Sequence, residues 1–246
     1  MRYLIIVLLL AAAVDAGAKP HSVEVRVSDG KAVYLRTLSV ETGKQTDYVG
    51  PVSSFGAPGR MLLANVLLNE DKGFGLQYQV ELSGGKGSSD PVIQGQGEVS
   101  IRSGKSARVI ECGVWTVEVS LDGTGTLGKK NKAKEWNPGG SDNYRLTATV
   151  RGFNGRVCRQ IGRNRTQGNV VDGSVSGDRK FGFLMNSIVA SGAGSGPVNL
   201  QYQVEQSLAD GSEGFQLQGE NTVIPGVKLP LKSGSRIIDL LVESGK

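Results

Sequence analysis

The sequence predicts an all-β protein built as two tandem antiparallel β-sandwich domains that arose by internal duplication. Three observations predict it. The hexapeptide Leu-Gln-Tyr-Gln-Val-Glu occurs at residues 76–81 and again at 200–205. Apolar and polar residues alternate with period two along most of the chain, as in half-buried strands. Finally, 36 glycines, eight prolines and few aromatics break the alternating runs with turn-forming pairs.

The duplication reaches beyond the hexapeptide. QGQGE at 94–98 is echoed by QLQGE at 216–220, and Leu63-Ala64-Asn65 precedes the first copy about as Leu184-Met185-Asn186 precedes the second. The chain therefore divides into residues 1–18, a first repeat over 19–122, a linker over 123–143 and a second repeat over 144–246. Each repeat is long enough to bury its own core.

Residues 1–18 read as a signal peptide. Arg2 is the charged start, residues 3–14 are apolar, and Ala16-Gly17-Ala18 has the small-x-small form of a cleavage site. The apolar run is too short to span a bilayer comfortably. The mature chain is expected to begin at Lys19, to carry no transmembrane span, and to be exported to the periplasm, the cell envelope or the medium.

The elements follow in order. In residues 23–28, Val23, Val25 and Val27 face one way and Glu24, Arg26 and Ser28 the other; residues 145–150 are their counterpart. Turns at Asp29-Gly30 and Asn154-Gly155 suit positive φ. A second strand is expected at 32–39 and at 156–162. A buried strand follows at 61–68 or 183–190, although residues 60–68 also fit a short helix. In the hexapeptide strand, Leu76, Tyr78, Val80 and Leu82 oppose Gln77, Gln79 and Glu81. A Gly/Ser-rich loop leads to 92–101 or 215–224. In the last strand, Trp115, Val117, Val119 and Leu121 alternate with Thr116, Glu118 and Ser120, matched by 237–242. Six to eight strands per repeat fit a sandwich or a small barrel, and nothing in the pattern signals the roomy interior of a barrel.

Residues 123–143 have no counterpart and no periodicity, the composition of a linker or long loop. Trp136 within it is expected either to pack on a domain or to serve as a binding contact.

Two cysteines, Cys112 and Cys158, lie one in each repeat at non-matching positions. An even count in an exported chain favours a disulfide across the linker, stabilising by roughly 4 kcal/mol through loop closure. The alternative is two buried thiols.

Catalytic chemistry is scarce. His21 is the single histidine, near a terminus that is often mobile. That disfavours Ser-His-Asp and Cys-His mechanisms, which hold a histidine beside the nucleophile. One histidine and two cysteines assemble no zinc site of normal spacing. Glu70-Asp71 reads as solvated charge rather than a calcium site. Glu98, Glu118 and Glu220 fall on strands and are the carboxylates a polysaccharide hydrolase would use. The glycine runs at 84–87 and 192–196 lack the flanking context of a phosphate loop. No catalytic residue, cofactor or metal is assigned.

Charge is uneven within a net +5. Residues 19–121 balance eleven basic against eleven acidic groups, whereas residues 144–246 carry twelve against eight. Arg145, Arg151, Arg156, Arg159, Arg163 and Arg165 occur without a carboxylate among them, following Lys129, Lys130, Lys132 and Lys134. Such a cluster suits either a solvated basic face or an anionic polymer or surface. Regular aromatics are missing, so nucleic acid is not the expected ligand. Asn164-Arg165-Thr166 fits a glycosylation acceptor. Gln77, Gln79, Gln201 and Gln203 face outward in both repeats, either as solvent-facing positions or as a contact surface.

The sequence therefore points to an exported, non-catalytic binding or assembly module whose partner is a protein or a second copy of itself. Edge strands would make the contact. The alternatives are an anionic-polymer binder using Arg145–Arg165 and a carboxylate-dependent polysaccharide hydrolase.

Overall fold

The computed structural model describes residues 20–52, 54–55, 60–70, 73–84, 91–123, 142–151, 156–173, 175–176, 179–180, 182–191, 196–207 and 214–245. The expected signal peptide, Trp136 and nearly all of the linker lie outside them.

The described elements are strands. The first repeat contributes β1 (His21–Ser28), β2 (Val33–Val40), β3 (Gln45–Pro51), β4 (Ser54–Phe55), β5 (Met61–Glu70), β6 (Phe74–Ser83), β7 (Pro91–Ile101), β8 (Lys105–Cys112) and β9 (Trp115–Leu121). The second contributes β10 (Asn143–Arg151), β11 (Val157–Arg163), β12 (Gln167–Asp172), β13 (Val175–Ser176), β14 (Arg179–Lys180), β15 (Gly182–Ser191), β16 (Val198–Ser207), β17 (Phe215–Val223), β18 (Lys228–Ser233) and β19 (Arg236–Ser244). The stretch 60–68, which also fitted a short helix, falls on the strand β5 from residue 61 onward. Alternation explains why: Leu62, Ala64, Val66 and Leu68 are buried while their neighbours are half-exposed. Among the described residues no helix is long and apolar enough to cross a membrane.

Two large antiparallel sheets result. One runs β18-β19-β10-β11-β8-β9-β1-β2-β4 and the other β17-β16-β15-β12-β7-β6-β5-β3. Their apolar faces enclose the core, which includes Val23, Val25, Tyr34, Leu76 and Val117 from the first repeat and Leu146, Ala148, Phe183, Leu200 and Leu240 from the second. Each sheet is made of one half from each repeat, giving two sandwich-like halves.

The repeats correspond strand by strand. Ser28 pairs with Thr116, and Arg151 with Ile237, which sets Val23, Val25 and Val27 in the positions of Leu146, Ala148 and Val150. This register begins one residue later than the 145–150 range read from sequence. Besides the two-residue strands β4, β13 and β14, two strands per repeat escaped the sequence reading, β3 with its counterpart β12, and β8 with β18. Both are short or broken by Pro, Lys and Gly, so their alternation is weak.

The halves join edge to edge and in the same sense. β11 of the second repeat pairs with β8 of the first, and β12 pairs with β7. At the far ends, β2–β4 and β3 of the first repeat and β17 and β18 of the second are the terminal strands.

Candidate functional site

The seam between the repeats is the most heavily furnished part of the structure. Register sets Cys158 opposite Cys112, Arg159 opposite Glu111 and Gln160 opposite Ile110. Cys112 and Cys158 form a disulfide with Cα atoms 4.1 Å apart. It joins the copies across the linker.

Hydrogen bonds and ion pairs complete the seam. Gln160 is buried between the sheets and donates through Nε2 to the carbonyls of Gln96 (2.8 Å) and Asn169 (3.2 Å), one from each repeat. A Cβ at Gly168 would fall 2.6 Å from the Gln160 amide oxygen, so glycine makes room for it. Asn143, fully buried, accepts from Ser100 N at 2.8 Å and donates to Ser100 O at 2.9 Å, completing the edge of β7 as a strand would. Arg163 Nη1 reaches Glu98 Oε1 at 2.7 Å, and Arg159 Nη1 reaches Glu111 Oε2 at 3.2 Å. Tyr78, from the repeated hexapeptide, is buried against Gln160; burial pushes its hydroxyl pKa well up, with the Gln160 hydrogen bond opposing.

The outer face of the eight-stranded sheet carries rows of side chains that repeat. Asp47, Asn65, Gln79, Gln96, Asn169, Asn186, Gln203 and Gln218 stand side by side across all eight strands. Asn65 donates to Gln79 at 3.0 Å, Asn186 to Gln203 at 3.0 Å, and Asn169 to Asn186. A neighbouring row reads Val49, Leu63, Glu81, Gln94 and then Val171, Leu184, Glu205, Gln216. Of the outward glutamines of the sequence analysis, Gln79 and Gln203 belong to the first row, which repeats every four strands, while Gln77 and Gln201 stand beside Glu98 and Glu220 in a further row. A shallow hollow of about 390 Å³ on this face is lined by Gln45, Asn65, Gln77, Gln96, Glu98 and Gln167 among others.

The arginine cluster lies on β10, β11 and the residues flanking β11, and it is largely occupied. Arg145 pairs with Glu243, Arg151 with Asp239 at 2.6 Å, Arg156 with Asp172 at 2.8 Å, and Arg159 and Arg163 with first-repeat glutamates as above. Arg165 donates to the Ser191 carbonyl at 3.4 Å. Four of these five acids lie far away in sequence and the fifth, Asp172, falls just past the stretch, which is why the run looked uncompensated. Asn164 accepts from Ser191 N at 2.9 Å through its side-chain oxygen.

The carboxylates are dispersed. Glu98 faces outward on the eight-stranded sheet, bonded by Gln77 and Arg163, whereas Glu118 faces outward on the nine-stranded sheet. The two therefore lie on opposite faces of a sandwich whose sheets are about 10 Å apart. Glu220 lies four strands from Glu98, about 19 Å at normal strand spacing. Glycosidase pairs stand about 5–9.5 Å apart.

His21, expected near a mobile end, is held in β1 against the Phe74 ring, with Nδ1 2.8 Å from Asp122 Oδ2. Ser103 Oγ donates to the same carboxylate oxygen at 2.8 Å, not to the far ring nitrogen where a nucleophile would sit. Burial alone would raise the Asp122 pKa. Bonds from His21, Ser22 N and Ser103, with the charge of His21, outweigh it and hold the carboxyl below its ordinary value. Among the described residues no three His, Cys, Asp or Glu side chains converge to hold a metal.

Comparison with known protein families, curated proteins and solved structures found no match to this chain.

Proposed function

We propose that this chain is an exported, non-catalytic binding and assembly module that takes its partner by strand addition at open sheet edges. The observation that carries the reading is the seam itself: edges of these repeat units pair with one another in both sheets. Among the described residues the terminal strands have no partner on their outer side, and β17 offers its outer backbone groups along a nine-residue strand without proline or lysine. A disulfide and the absence of a membrane-spanning helix among the described residues are compatible with export.

Retention of the chain's partner on an immobilised edge tests the reading. Ser100, two positions beyond Glu98 on β7, turns its N–H and carbonyl outward to Asn143. Its counterpart on β17 is Thr222, so by alternation Gln218 also turns its N–H to the open side. Gln218→Pro then removes an edge donor while sparing the β16 ladder. The expected result is that the immobilised full chain retains either itself or another exported protein, and that Gln218→Pro abolishes retention. Retention of nothing, or retention indifferent to Gln218→Pro, overturns edge-mediated assembly.

A further inference from the structure

We infer that copies of this chain associate head to tail, the β17/β18 edge of one docking on the β2/β3 edge of the next in the register of the internal seam. The inference rests on the assembly reading above and names the partner, a second copy of this chain.

The rows on the eight-stranded sheet carry the argument. At the seam, Gln96 meets Asn169 and Gln94 meets Val171. At the open ends the same rows stop at Gln218 and Gln216 on β17, and at Asp47 and Val49 on β3. Joining the ends therefore repeats an amide-to-Asx contact and a glutamine-to-valine contact already made inside the chain. Val49 is 67% exposed at the open edge, whereas its counterpart Val171 is half-buried at the seam.

Among the described residues no strand pairs with the matching stretches of the nine-stranded sheet. The seam uses Cys158, Arg159 and Gln160 of β11 against Cys112, Glu111 and Ile110 of β8. By strand register their counterparts are Arg36, Thr37 and Leu38 on β2, and Ser233, Lys232 and Leu231 on β18. Among the described residues β4 pairs with Val33 and Tyr34 and does not reach residues 36–38. Pro230, which lacks an N–H, corresponds to Arg108 and lies just outside the stretch. The turn at this end exposes Ile224 (60%) and Val227 (55%), where the first repeat carries Arg102 and Lys105.

The seam's fastenings are exchanged for weaker ones. Arg36 and Ser233 replace the bonded cysteines, and Leu38 against Leu231 replaces buried Gln160 against Ile110. Glu41, paired with Lys44, replaces Arg163. The counterpart of Glu98 is Glu220, which is already bonded by Asn199 and Gln201 and calls for no arginine from a neighbour. The chain-to-chain contact is therefore a reversible version of a permanent one. Because the two edges differ, the contact is heterologous and adds copies head to tail rather than closing a symmetric pair.

The test puts cysteines where the seam has them. Full chain carrying Arg36→Cys and Ser233→Cys is oxidised with diamide and run without reductant. A ladder of covalent oligomers is expected. An equimolar mixture of the two single variants should stop at dimers, and each single variant alone should stay monomeric. No ladder, or equal dimers from single variants alone, overturns the proposal. Sedimentation of the unmodified chain up to about 1 mM, the range of a tethered edge, provides a second reading. Concentration-dependent growth lost in Gln218→Pro is expected. Growth without the ladder overturns the seam register but leaves assembly standing. A monomer without the ladder overturns self-association, and the retention experiment then decides the wider reading by itself.

Discussion

Arg163 of the second repeat pairs with Glu98 of the first at 2.7 Å in a space that exists because residue 75 is glycine: a Cβ there would stand 2.8 Å from both the guanidinium and the carboxylate. The counterpart of Gly75 is Asn199, whose amide fills that space and bonds Glu220. One position thus distinguishes a closed seam from an open edge.

Arg163→Ala should lower the unfolding free energy by about 2 kcal/mol, the scale of a charge-assisted hydrogen bond. Gly75→Ala should be costly in the native chain and less so beside Arg163→Ala, which removes one of the two clashes and frees the Glu98 carboxylate to turn away, a coupling of about 1 kcal/mol or more in urea unfolding. Additive effects would show that Gly75 serves something other than the ion pair.

Replacing both cysteines, as Cys112→Ala with Cys158→Ala, should cost about 4 kcal/mol for the 46-residue separation they close. Denaturant unfolding with and without reductant measures it. Reductant should leave the double variant unchanged.

Arg165 adopts φ 64° at the turn between β11 and β12, where the first repeat has Gly43 at φ 77°. The two turns are otherwise alike, with Arg165 N donating to Val189 O and Gly43 N to Leu68 O. A left-handed non-glycine residue costs about 1 kcal/mol. Arg165→Gly should therefore raise the melting temperature by about 2–4 °C, while Gly43→Ala should lower it. A drop on Arg165→Gly would mean that its bond to Ser191 O outweighs backbone strain.

The Asp122 carboxyl is held below its ordinary pKa of 3.8 by His21, Ser22 N and Ser103, against the opposing effect of burial. A depressed folded-state value means that the fold favours the carboxylate. The stabilisation is complete above the ordinary value and is lost as pH falls through the folded one. Thermal unfolding between pH 5 and pH 2 should show a limb that Asp122→Asn removes. An unchanged profile would assign the acid limb to other carboxylates, Asp29 first, where the upward push of burial is outweighed by bonds from Ala32 N and Lys31 N and by the charge of Arg60.

Much of the architecture was legible. Val23, Val25 and Val27, the alternation around Tyr78, and Trp115 to Leu121 all bury the face that their period indicates, because burying one face of a strand needs only local pattern. β3 and β8 were missed because Asp47, Gly50 and Pro51, or Lys105 and Arg108, blur the alternation of terminal or seam strands. The ion pairs of the arginine cluster were not legible for a different reason. A strand's ionic partners sit on its neighbours, and Glu98, Glu111, Asp239 and Glu243 lie dozens of residues from the arginines they meet.

The sequence alone determined that the chain is duplicated, all-β and alternating, and that its two cysteines favoured a bond across the linker, since repeats, period and composition are properties of one strand at a time. Only the tertiary structure decided that the repeats merge edge to edge, which rows of side chains that merger aligns, and which edges it leaves unpaired. Those depend on hydrogen bonds between distant strands, and such bonds leave no trace in local sequence.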